Sequence, residues 1–162
     1  WENIMLIDRM KISEIVTSLK AKGKRIVFTN GCFDILHVGH VRYLKEAKAL
    51  GDILILGLNS DCSVKSLKGP NRPINNESDR AEVLSALKAI DYVVIFDEKT
   101  AENIVGEVKP DIYAKGGDYS IDTLPEAKIV AEHGGKTVLL QLVDGKSSTN
   151  IINKCKENNL KL

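Results

Sequence analysis

Two periods run through the hydrophobic residues of this chain. Unbroken apolar runs stand at Ile26-Val27-Phe28, Ile53 to Leu58, Tyr92 to Phe96, Ile112-Tyr113-Ala114 and Val138-Leu139-Leu140. Runs of that kind suit strands buried on both faces, as in a parallel sheet. Between them, apolar residues recur at helical spacing. Ile12, Ile15, Val16 and Leu19 predict a first helix closed by Ala21-Lys22-Gly23, and Val41 to Leu50 a second stopped by Gly51-Asp52. Asn59-Ser60-Asp61 ends a strand and can cap a short helix. Asn75 or Asn76 opens a helix reaching about Ala89, with Val83, Leu84 and Leu87 inward. Thr100 caps another through Val108, which Pro110 terminates, and Pro125 to His133 runs until Gly134-Gly135. Ser147 or Ser148 caps a C-terminal helix holding Ile151 and Ile152. Ile4 to Asp8 is too weak for either period and reads as a tail or short lead-in. Strands alternate with helices, which predicts one α/β domain over residues 1–162. Its core is a Rossmann-like parallel five-stranded sheet with helices on both faces, preceded by a helical lead-in over 1–24.

One stretch organises the rest: Thr29-Asn30-Gly31-Cys32-Phe33-Asp34-Ile35-Leu36-His37-Val38-Gly39-His40. It joins the first strand of that sheet to a helix beginning near His37 or Val38. Such a helix aims unpaired N–H groups and the positive end of its dipole back at the strand end, where open α/β sheets bind anions. His37 and His40 are three apart and share one face, and Gly39 leaves no side chain between them. Two imidazoles beside a helix N-terminus make a donor cluster for a phosphate chain. Cys32, among apolar neighbours, reads as packed rather than as a catalytic thiolate.

Composition narrows the function. The 162 residues carry 23 basic and 22 acidic side chains, a net charge of +1, which gives no general attraction to nucleic acid or anionic membrane. Cys32, Cys62 and Cys155 form neither a disulfide framework nor a zinc knuckle, so a reducing, cytoplasmic setting is expected. No apolar run approaches a membrane span, and no signal-peptide pattern is visible. The chain opens on Trp1 rather than Met, as an excised domain would. No GxGxxG follows the first strand, which disfavours a dinucleotide dehydrogenase.

Four loops follow the expected strand ends: Asn30 to His40, Lys65 to Arg80, Lys115 to Tyr119 and Lys146 to Thr149. Loops at the carboxyl ends of parallel strands converge on one crevice. They bring His37, His40, Lys65, Lys68, Arg72, Arg80, Lys115 and Lys146, with the hydroxyls of Ser147, Ser148 and Thr149. Each has a plainer reading: a solvated basic loop for Lys65 to Arg72, a simple turn for Gly116-Gly117, a helix cap for Ser147 to Thr149. The cap and the anion site use the same N–H groups, so those two coexist.

His37-Val38-Gly39-His40 is the HxGH signature, and the chain resembles the cytidylyltransferase-like nucleotidyltransferases. The run Thr29 to His37 is similar to one branch, the adenylyltransferases that activate heptose 1-phosphate as ADP-heptose. Asn59-Ser60-Asp61, Leu67-Lys68-Gly69 with Arg72-Pro73, Arg80, Lys115 to Tyr119 and Ser148 to Ile152 resemble that branch too, so the likeness covers about residues 25–155. It implies the HxGH fold and an adenylyl transfer from ATP to D-glycero-D-manno-heptose 1-phosphate, for lipopolysaccharide or surface-glycan precursors. Asp144-Gly145-Lys146 stands where the cytidylyltransferases of glycerol or choline phosphate carry Arg-Thr ahead of the serine-threonine run.

The expected roles follow. His37, His40, Lys68 and Arg80 are catalytic. Thr29, Asn30, Gly31, Cys32, Phe33, Gly39 and His40 bind nucleotide, with Lys115, Lys146, Ser147, Ser148 and Thr149. Asp34, Asn59, Asp61, Lys68, Arg72, Gly117, Asp118 and Tyr119 bind the sugar phosphate. Mg²⁺ arrives with the triphosphate rather than in a protein-only site. A homodimer, and association or fusion with a heptose-phosphate kinase, are implied by the resemblance. The alternatives are a cytidylyltransferase for a polyol or amino-alcohol phosphate and a non-catalytic nucleotide-binding regulatory domain.

Overall fold

The computed structural model describes residues 6–117 and 119–159. All its strands are parallel, in the order β1-β4-β3-β2-β5-β6. They are β1 (Leu6–Ile7), β2 (Ile26–Gly31), β3 (Ile53–Asn59), β4 (Tyr92–Phe96), β5 (Ile112–Gly116) and β6 (Lys136–Leu140). Among the described residues the sheet therefore has six strands, not five. The additional one lies in the expected lead-in, where Leu6 pairs with Val93 and Ile7 with Val94. Two residues are too few to show a period, and only pairing with β4 makes them a strand.

Among the described residues seven α-helices connect and cover the sheet: α1 (Ile12–Ala21), α2 (Val38–Ala49), α3 (Asp61–Lys68), α4 (Glu77–Ser85), α5 (Glu102–Val108), α6 (Pro125–Glu132) and α7 (Ser148–Asn159). On one face, Phe28, Ile55 and Tyr113 pack with Ile12, Ile104 and Val130 from α1, α5 and α6. On the other, Val27, Leu54 and Leu56 pack with Leu44, Ala47 and Leu84 from α2 and α4. Both faces are dry, which is why the strands read as continuous apolar runs.

Short-range side-chain caps start α3 and α4. Ser60 accepts from the Ser63 N–H and Asn76 from the Asp79 N–H. Two boundaries differ from expectation. α4 ends at Ser85 rather than near Ala89, because Leu87 and Ile90 turn in to close the path to β4. α5 has no side-chain cap from Thr100, whose hydroxyl donates to Glu102. The Ala101 N–H goes instead to Glu126, a buried carboxylate on α6.

The sheet is wound outward from β2, through β3 and β4 to one side and through β5 and β6 to the other. The order reverses between β2 and β5, and the crevice beyond their carboxyl ends is the natural ligand position of such a sheet. Among the described residues, no helix is long and apolar enough to cross a membrane.

Candidate active site

A crevice of about 310 Å³ opens at that reversal point. Its floor is the β2–α2 turn, which is built under constraint. Phe33 adopts a positive φ of 45°, uncommon for a bulky residue. A Cβ on Gly31 would stand 2.8 Å from the Phe33 ring, so only glycine admits this path. Phe33 in turn packs against His40, ring centres 5.1 Å apart.

His37 is the N-cap of α2, and its Nδ1 accepts the Gly39 N–H at 3.1 Å. That bond makes Nδ1 the acceptor and leaves Nε2 to carry the proton of the neutral ring. The rings of His37 and His40 stack at 3.9 Å between centres. A Cβ on Gly39 would lie 2.9 Å from the His37 ring, so the glycine is what lets the two imidazoles share the wall. Burial, then His37, then Lys68, pulls the His40 pKa down to about 4. Burial and Lys146 lower that of His37. Both rings are therefore neutral N–H donors at neutral pH, and His40 Nδ1 is buried without a protein partner.

Cations come from three other elements: Lys68 at the end of α3, Lys115 on β5 and Lys146 before α7. Lys115 Nζ sits 5.5 Å from the centre of the Tyr119 ring, also at the rim. The α7 N-terminus closes the far side, with Ser147 Oγ accepting from the Asn150 N–H. The Ser148 hydroxyl donates to the Ile35 carbonyl, tying α7 to the signature turn. Two helix N-termini, two neutral imidazoles and three lysines thus face one space.

The remaining expected residues divide. Asn30, Gly31, Cys32, Phe33, Asp34, Gly39, Ser147, Ser148, Thr149 and Tyr119 line the crevice with the residues above. Burial raises the Cys32 thiol pKa, which leaves no basis for a thiolate. Thr29 is fully buried and bonds the Tyr43 hydroxyl, so it supports the wall from behind.

Arg80 is a correction. It is 2% exposed and donates to the carbonyls of Cys32, Asn59 and Asn75 and to Asp61. It is a structural tie rather than a cation at the crevice. Asp61 is taken up by that pair, and Asn59 Nδ2 bonds the Ser63 hydroxyl, so neither lines the crevice.

Asp34 accepts N–H bonds from Ile74 and Asn75 and pairs with Arg72 at 2.7 Å. Burial works to raise the Asp34 pKa, but those partners together hold it below the ordinary carboxylate value. Arg72 Nε is spent on this clamp, its Nη2 is buried without a partner among the described residues, and Arg72 does not line the crevice. Gly117 lies beside Tyr119 at φ 123° without lining the crevice, and Asp118 falls outside the described residues. Tyr43, Leu142 and Val143 line the crevice although sequence reasoning did not select them. The last two follow β6 at its carboxyl end, and that position was the available signal.

Known proteins resemble this chain in sequence and in fold. The cytidylyltransferase-like family model matches residues 28–156. The bifunctional protein HldE of Geobacter metallireducens is 53% identical over 143 residues, 88% of this chain and 29% of that protein. HldE of Pelobacter propionicus is 52% identical over 150 residues, 93% of this chain and 31% of its own length. The chain thus spans about 30% of the length of these relatives. The lipopolysaccharide core biosynthesis protein of Thermoplasma volcanium superposes with a TM-score of 0.62 at 32% identity, over 76% of this chain and all of that one. Pantoate-beta-alanine ligase of Francisella tularensis superposes at 0.58 and 15% identity, over 94% of this chain and 77% of its own, a likeness of fold alone.

Proposed function

The chain belongs to the cytidylyltransferase-like nucleotidyltransferases, and we propose that its reaction is adenylyl transfer from ATP to D-glycero-D-manno-heptose 1-phosphate. A sugar-phosphate oxygen attacks the α-phosphorus of ATP. The new P–O bond forms as the α–β bridge breaks, and its electron pair leaves on pyrophosphate. The products are ADP-heptose and pyrophosphate. The observation that carries this is the convergence of the His37–His40 stack, two helix N-termini and Lys68, Lys115 and Lys146 on one crevice.

A phosphate nucleophile is already anionic near neutral pH, so the protein needs no strong general base. Its task is to align two repelling anions and to stabilise charge on the equatorial oxygens. The lysines neutralise charge already present in the ground state. The neutral imidazoles, fixed by stacking and by the His37 cap, supply N–H groups that tighten as charge develops. Mg²⁺ is proposed to come in on the phosphates of ATP, where it would neutralise charge on the leaving group.

The similarity to proteins named bifunctional supports a second activity on the same polypeptide. A heptose-phosphate kinase, acting in the cytoplasm upstream of the adenylyl transfer, is the proposed one. A pyrophosphate-release screen of nucleoside triphosphates against phosphorylated acceptors tests the reading. ATP with heptose 1-phosphate is expected to exceed CTP with glycerol 3-phosphate by a wide margin. Equal or better turnover with CTP would overturn it.

A further inference from the structure

Asn30 and Tyr113 form a pair that the reaction scheme above does not use. On β2, Phe28 and Asn30 are two apart and share a face, and Tyr113 on β5 pairs in register with Phe28. The Tyr113 ring lies along Phe28, centres 6.3 Å apart. Its hydroxyl reaches past Phe28 to Asn30 Oδ1 at 2.7 Å. The other neighbour of β2 is held back to make room. Gly57 pairs with Asn30, and a Cβ there would stand 2.6 Å from the Phe28 ring and 3.3 Å from Asn30 Cβ.

Tyr113 is fully buried, and among the described residues its hydroxyl meets no acceptor but Asn30. A buried phenol proton without an acceptor is costly, so it goes to the amide oxygen. The orientation of the Asn30 amide follows. Its oxygen is spent on Tyr113, and its NH₂ is left to the crevice, which Asn30 lines.

We infer that Tyr113 is a positioning residue that locks Asn30 as an N–H donor toward a phosphoryl oxygen of a substrate. An unheld asparagine presents its oxygen as readily as its nitrogen, and the oxygen repels a phosphate. The lock therefore makes the pocket end of β2 selective for anionic oxygen. The inference rests on the reading that the crevice takes phosphorylated substrates. Both ATP and the sugar phosphate offer that oxygen, and the measurements separate them.

Three measurements test it on the full chain. In the free protein, ¹⁵N-resolved NMR should give one Asn30 side-chain NH₂ pair. Tyr113→Phe keeps the ring and removes the lock, so that pair should broaden or double. An unchanged sharp pair would overturn the positioning role, whatever the activity. Calorimetry with ATP and Mg²⁺ reads the nucleotide, and KM for the sugar 1-phosphate reads the acceptor. Tyr113→Phe should weaken one of the two about three- to tenfold, the range of a single neutral hydrogen bond. Asn30→Asp keeps the acceptor for Tyr113 but replaces the donor by a carboxylate, and should weaken the same ligand by at least about tenfold. If Asn30 serves only as a structural acceptor, Tyr113→Phe will leave both constants unchanged, and the inference fails. A wild-type protein that binds ATP yet does not use heptose 1-phosphate would defeat the proposed reaction alone. The NMR and ATP measurements would still decide the lock.

Discussion

Burial beside His37 and Lys68 pulls the His40 pKa down to about 4, so this ring is a neutral donor at neutral pH. Its contribution should be largest when charge gathers on the α-phosphorus oxygens, and such interactions raise kcat. His40→Ala is expected to lower kcat by about 10²–10³, with a smaller change in ATP affinity and a normal melt. Wild-type turnover in a well-folded variant would refute the donor role. The same shift has a signature in stability. The unfolded imidazole takes its proton near pH 6.5, the folded one only near 4. Between those values acid protonates the unfolded chain first, so stability is intact above 6.5 and declines as pH falls toward 4. Melting curves from pH 7 to 4 should therefore fall more steeply for the wild type than for His40→Gln. Parallel curves would place the titrating group elsewhere.

At the scale of elements, α3 and α4 present similar cations with opposite fates. Lys68 ends α3 on the crevice, whereas Arg80 from α4 is buried under three carbonyls and Asp61. Lys68→Ala is expected to fold normally and to weaken ATP binding by roughly 1.5–3 kcal/mol, measured calorimetrically. Arg80→Ala should instead destabilise the fold by about 3 kcal/mol or more, because it strands buried acceptors. Urea denaturation reads that loss, and a stable Arg80→Ala with weakened ATP affinity would return Arg80 to the crevice. Lys68 sits in a basic, turn-rich stretch and Arg80 in a helix among Glu77, Asp79 and Glu82, but neither context states which partner the side chain meets. Two of the three carbonyls that claim Arg80 come from Cys32 and Asn59, which are 48 and 21 residues away.

For the whole molecule, the edge strand β1 matters out of proportion to its two residues. Arg9, just after it, forks to Glu98 beyond β4 and to Glu107 on α5. The Arg9 guanidinium holds the Glu98 pKa down to about 2. The stability this gives is present above the ordinary carboxylate value near 4.5 and is lost as pH falls toward 2. Arg9→Ala should lower the melting temperature at pH 7 more than at pH 3. An equal drop at both would mean that packing, not charge, holds the edge.

What the chain's order of residues determined by itself is what acts over a few positions. The alternating periods give the strands and helices. The caps at Ser60, Asn76 and Ser147 span three residues, and the His37 cap on Gly39 spans two. The signature turn was legible for the same reason, since its glycines, histidines and helix start are neighbours. The tertiary structure alone decided the rest. It turned Leu6 and Ile7 into a strand, closed Asp34 on Arg72 across 38 residues, and set Tyr113 on Asn30 across 83. A side chain's type states which bonds it can make. Which partner it meets depends on where the sheet brings distant loops, and that information is carried by the packing of the whole chain rather than by any window of it.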